Sequence, residues 1–151
     1  MARFFCTIER EPIIFSIGGS IRMGNIHHIE LNVSDLEISI RFWGWFLEEL
    51  GYQPFQVWDK GRSWKKDEMY LVFVQTKEQF VSEGYHRGHT GLNHLAFQAN
   101  SRQQVDNLAK KLEEKGIEIL YRDQHPFAGG EQHYAVFFED PDRVKVEFVA
   151  P

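Results

Sequence analysis

Residues 26–33, Ile26-His27-His28-Ile29-Glu30-Leu31-Asn32-Val33, alternate apolar and polar side chains, and Leu92-Asn93-His94-Leu95-Ala96-Phe97-Gln98-Ala99 repeat the pattern about 66 residues later. Alternation with period two is strand geometry, and in both copies a histidine holds the third position. Each copy runs into a helix-start signature. Ser34-Asp35-Leu36-Glu37 and Ser101-Arg102-Gln103-Gln104 both read as capping boxes, with Ser first and Glu or Gln three residues on. The helices that follow carry one apolar stripe each: Leu36, Ile40, Trp43, Leu47 and Leu50 in the first, Val105, Leu108, Ala109 and Leu112 in the second. Both stop alike, with Gly51 and Gly116 placed to take the left-handed position past the helix end. Strand, cap, helix and stop recur in order at one offset, so the chain reads as a duplicated module.

Strand-like stretches complete each copy: Tyr52–Trp58, Arg62–Lys66 and Met69–Thr76 in the first, Ile117–Tyr121, His133–Glu139 and Val144–Val149 in the second. The expected fold is α+β, two tandem βαβββ modules (about 26–78 and about 91–150) within a domain spanning 25–151. Their strands should form a curved mixed sheet around a cavity that holds a metal. The stretches 79–91 and 122–132 are polar, glycine-bearing connections, the usual address of binding loops. Residues 1–24 fall outside the repeat and read as an N-terminal extension; the alternative is an added edge strand, because Pro12–Ile17 has β character.

Composition narrows the classes. Of 151 residues, 42% are hydrophobic and 26% charged, which excludes a disordered chain. A net charge of −5 leaves no electrostatic footprint for nucleic acid or anionic lipid. Cys6 is the one cysteine, so no internal disulfide forms and a reducing compartment fits. No apolar run reaches the roughly 20 residues of a membrane span. Glu9, Arg10 and Glu11 interrupt the N-terminal apolar stretch before it makes a signal peptide. The expectation is a soluble, cytoplasmic domain that handles a small molecule, its 15% aromatic content sufficient for a core and part of a pocket.

Strand alternation puts His28, Glu30 and Asn32 on one face of the first strand and His94, Ala96 and Gln98 on the matching face of the other. On the last strand Glu147 turns to the same side, while Val146 and Phe148 face the helices. Two imidazoles and a carboxylate on inward strand faces suit a divalent metal with open positions for water and substrate. Geometry alone leaves open the blander reading, in which each histidine is a hydrogen-bonded structural residue.

With these residues in view the sequence resembles the vicinal-oxygen-chelate superfamily, the group of glyoxalase I, fosfomycin-resistance enzymes, methylmalonyl-CoA epimerase, extradiol dioxygenases and bleomycin-resistance proteins. The likeness covers about residues 26–150 and includes Phe137-Phe138-Glu139-Asp140-Pro141-Asp142 ahead of the last strand. It implies metal ligation by His28, His94 and Glu147, with zinc, manganese, nickel or iron all compatible. Departures bear on the activity. The place of glyoxalase I's fourth ligand falls on Val72, which does not coordinate. Phe137 stands where extradiol dioxygenases and some fosfomycin enzymes have a tyrosine, and only Phe148–Pro151 follow Glu147, leaving no room for a phosphonate-binding arginine. Arg143 replaces the glycine usual after Asp140-Pro141-Asp142, a change expected to alter the turn.

The remaining histidines divide. His125 and His133 are assigned to the pocket as acid/base or substrate-orienting groups, and His86 and His89 to solvated loops. Trp58, Trp64, Tyr85 and Phe127 are candidates for an aromatic pocket floor, and Glu30 for an orienter of His28. The expected activity is metal-dependent lyase or isomerase chemistry on a small oxygenated or electrophilic substrate. The alternatives are a bleomycin-resistance-type sequestering protein and an Fe(II)-dependent extradiol-type dioxygenase. Exposed strand edges and open polar sheet faces point to a homodimer, with a site either shared between subunits or within one chain.

Overall fold

The computed structural model describes residues 25–151; the expectations for residues 1–24 lie outside the described residues. The order is β1 (His28–Val33), α1 (Leu36–Glu49), β2 (Gln53–Trp58), β3 (Gly61–Lys66), β4 (Met69–Gln75), α2 (Glu78–Val81), β5 (His94–Gln98), α3 (Arg102–Glu114), β6 (Ile119–Leu120), β7 (Ala135–Glu139) and β8 (Lys145–Val149). This is βαβββ twice over, with the short α2 added inside the linker that sequence patterning reads as loop throughout. No helix among the described residues is long and apolar enough to cross a membrane.

Each module makes its own four-stranded mixed sheet, β1-β4-β3-β2 and β5-β8-β7-β6. β1 pairs β4 in parallel and β5 pairs β8 in parallel, and the other pairings are antiparallel. The two sheets are not joined edge to edge among the described residues; α1 connects them through its apolar face. Trp43 stacks on Phe73 of its own sheet at 4.9 Å, while Phe46 meets Phe97 and Phe138 of the second sheet at 5.2 and 5.3 Å. Both Trp43 and Phe46 are fully buried. The stripe read from sequence omits Phe42 and Phe46, although both belong to the wide apolar face of a helix covered on two sides. Burying each such side chain contributes about 1.5–3 kcal/mol.

The caps differ in detail from the expectation. On α1 the N-cap is Asp35, whose Oδ1 accepts from the Ile38 amide at 2.9 Å. Ser34 instead donates its own amide to Asp142 Oδ2 at 3.0 Å, tying the helix start to the turn between β7 and β8. On α3 Ser101 caps the Gln104 amide as expected. Gly51 and Gly116 take φ of 84° and 69° just past the helices, which only glycine does without cost.

The β7–β8 turn corrects one expectation. Arg143 adopts φ 67°, so the turn keeps the left-handed backbone that a glycine would supply, at a steric cost on the order of 1 kcal/mol. Inside that turn Asp140 is buried. Its carboxylate accepts from the amides of Val144 (2.7 Å) and Asp142 (2.9 Å) and from Trp43 Nε1 of the other module (3.0 Å).

Candidate functional site

The polar faces of both sheets point away from the helices. Glu147, in the middle of β8, is 5% exposed and lies between two imidazoles. His94 Nε2 sits 3.1 Å from its Oε2. His133 Nε2, delivered by the segment just ahead of β7, bonds its Oε1. The His133 ring stacks on Phe137, with 23° between the planes, and Phe137 pairs in register with Glu147 across the β7–β8 ladder. Phe137 therefore props His133 against the carboxylate.

His94 is oriented from behind. Asn93 Nδ2 donates to the Arg87 carbonyl at 3.3 Å, which turns its Oδ1 toward His94 Nδ1 at 2.8 Å. An amide oxygen accepts, so Nδ1 carries a proton and Nε2 is turned toward Glu147. Two acceptors at that separation repel unless a proton or a metal ion stands between them. Arg87 is itself anchored: its guanidinium binds Glu139 of β7, and that hydrogen bond holds its pKa above the ordinary arginine value. Linker, Asn93 and His94 thus form one continuous support. Asn93 is a residue that the sequence reading missed, although the duplication held a signal. His27 occupies the equivalent place before His28, and its Nδ1 lies 2.9 Å from His28 Nδ1.

Other candidates are placed elsewhere. His28 is exposed on β1 in the other sheet, stacked on Tyr70 at 4.9 Å with 9° between the rings, and one chain does not bring it to Glu147. Among the described residues of a single chain, no three His, Cys, Asp or Glu side chains are grouped to hold a metal ion. His125 bonds the Ala135 carbonyl through Nδ1 (3.1 Å) and shares a surface hollow with Gln103, Asp106 and Arg122 beside α3, apart from Glu147. Trp64 belongs to the core, Phe127 packs edge-on against Tyr134, and Trp58 packs over Gly61, so these aromatics share no pocket floor. His86 and His89 are both exposed on the linker, and both border a cavity along β1. Val72 is 4% exposed, in register with Glu30 and Ser63, and presents no ligand atom.

The duplicated βαβββ fold is that of the glyoxalase-like proteins. The sequence model of the Glyoxalase/Bleomycin resistance protein/Dioxygenase superfamily matches residues 25–148, and the chain belongs to that superfamily. It is 66% identical over 126 residues to the uncharacterized protein YqjT of Bacillus subtilis (strain 168), covering 83% of this chain and 98% of that one. The crystal structure of a protein from Bacillus halodurans, provisionally described as a glyoxalase, matches at 59% identity with a TM-score of 0.84, over 85% of this chain and 96% of that one. A lactoylglutathione lyase from Agrobacterium tumefaciens shares the fold at 18% identity and a TM-score of 0.61, over 85% and 95% of the two chains.

Proposed function

We propose that the chain is a divalent-metal-dependent enzyme of lyase or isomerase type that acts on a small oxygenated or electrophilic molecule as a homodimer. The observation that carries this reading is the buried Glu147 carboxylate facing Nε2 of His94 at 3.1 Å. That donor pair fits a divalent cation. His94 and Glu147 of one subunit, with His28 of a second copy, are the ligands of the proposed site. When bound, a divalent metal polarises substrate oxygen and stabilises developing negative charge.

The protein groups have distinct tasks. Asn93 fixes the His94 tautomer, and Phe137 holds the His133 ring. His133 Nε2, bonded to Glu147 Oε1, is placed to take or return a proton at the site. His28 reaches such a site only from another subunit, because α1 occupies the space between the two sheets of one chain and leaves both polar faces outward. This reading implies two sites per dimer, each built from opposite modules.

Metal titration of the wild type and of Glu147→Ala is the first test. We expect about one divalent ion per chain, and an affinity at least about a hundredfold weaker in the variant, or ~2.7 kcal/mol. Mixing His28→Ala with Glu147→Ala protein should then restore one intact site per mixed dimer. A wild type that stays metal-free after reconstitution removes the metal-dependent reading and leaves ligand sequestration. Normal metal binding without any restoration in the mixture removes only the shared site.

A further inference from the structure

A cavity of about 470 Å³ runs along the free edge of β1, roofed by α2 and the segment that leads to β5. Its volume falls within the usual range for small-molecule sites. Neither His94, Glu147 nor His28 lines it, and the metal reading does not explain it. The roof is built rather than draped: Tyr85 Oη donates to the Leu92 carbonyl at 2.7 Å, and Arg87 clips the same segment to β7 through Glu139.

The permanent charges of the lining have one sign: Glu30 of β1 and Asp142 of the β7–β8 turn both face it, no lysine or arginine lines it, and His86 and His89 are its imidazoles. Arg87, next to the lining residue His86, has its guanidinium engaged with Glu139 instead. Phe80, Val81 and Leu92 supply an apolar wall. A carboxylate, phosphate or sulfonate entering this space meets two carboxylates and no permanent counter-charge. A protonated amine meets carboxylates, with apolar surface and the Tyr85 ring for its carbon body.

We propose that this cavity is a binding site for a small organic cation, a protonated amine on a short apolar body, with Glu30 as its main counter-charge. Glu30 is the better placed of the two acids, because Asp142 Oδ2 already accepts from the Ser34 amide. The site does not depend on a bound metal, so it is open to test in the metal-stripped full chain.

Calorimetric titration with 2-phenylethylammonium, 2-phenylethanol and 3-phenylpropionate compares one carbon body with three charges. The cation should bind about tenfold more tightly than the alcohol, and the anion most weakly. Glu30→Gln should weaken the cation about tenfold and leave the alcohol unchanged. Val81→Trp should abolish binding of all three by filling the space, with the melting temperature checked to confirm a folded chain. Equal affinity for the three probes, tighter binding of the anion, cation binding indifferent to Glu30→Gln, or no cation binding at millimolar concentration would each overturn the proposal.

Discussion

Module 1 and module 2 share one chain path, and one rung of the ladder sets their chemistry apart. In sheet one Glu30 of the first strand pairs with Val72 of the last; in sheet two Ala96 pairs with Glu147. The acid has changed strands between the copies. In the second sheet it sits buried between His94 and His133, whereas in the first it lies exposed at the rim of a separate cavity. Duplication copies the scaffold, and chemistry then depends on which partner of an equivalent pair keeps its charge.

The comparison holds only if the modules form one cooperative body, and Phe46 tests that with the largest expected effect. Fully buried against Phe97 and Phe138 of the other module, it should cost about 3–5 kcal/mol on substitution by alanine. Denaturant unfolding of Phe46→Ala should remain a single transition with a lower midpoint. Two separate transitions would mean that the modules are independent units.

The second test concerns the turns that close the two sheets. Only module 2 has a buried carboxylate there. Burial pushes Asp140 up to about 6, opposing the bonds from the Val144 amide, Trp43 Nε1 and the Asp142 amide that favour the charged form. The folded chain therefore holds a proton that the unfolded chain releases between about pH 4 and pH 6. The sign follows: the contribution of Asp140 to stability is greatest below pH 4 and declines by on the order of 3 kcal/mol as pH rises through 6. Unfolding midpoints of wild type and Asp140→Asn, measured across that range, should show the wild type losing ground to the variant as pH increases. Parallel curves would remove Asp140 as the group responsible.

The smallest effect sharpens the equivalence of the residues that precede each inward histidine. Asn93→Ala should reduce metal affinity about tenfold by releasing the His94 tautomer. His27→Ala should act in the same direction and less, since the His27–His28 pair is exposed. Metal titrations of the two variants check the order. A silent Asn93→Ala would show that the ring holds its orientation without help.

Much of this was legible in the sequence because it is local or repeated. The offset between His28 and His94, the apolar stripes, and the glycines at 51 and 116 each follow from backbone geometry that a short window contains. What escaped depends on distant partners. Asp35 rather than Ser34 caps α1, and the Ser34 amide is held by Asp142 from 108 residues away. His125 leaves the site because its ring is bonded to the Ala135 carbonyl on the α3 side. The separation of His28 from Glu147 follows from α1 filling the space between the sheets, an arrangement that strand alternation leaves undetermined.

One further consequence lies in the distribution of indoles. All four tryptophans, at 43, 45, 58 and 64, belong to module 1, and none lies in module 2. Intrinsic fluorescence is therefore a lopsided reporter, since it watches the first module and sees the second through Trp43 and through Trp45, whose ring lies 4.7 Å from the Lys115 ammonium. The Trp43 indole is fully buried, with its N–H on Asp140 across the junction. A shift in its emission reads the parting of the two halves as an optical signal, with no label attached and no spectral contribution from tryptophan on the far side.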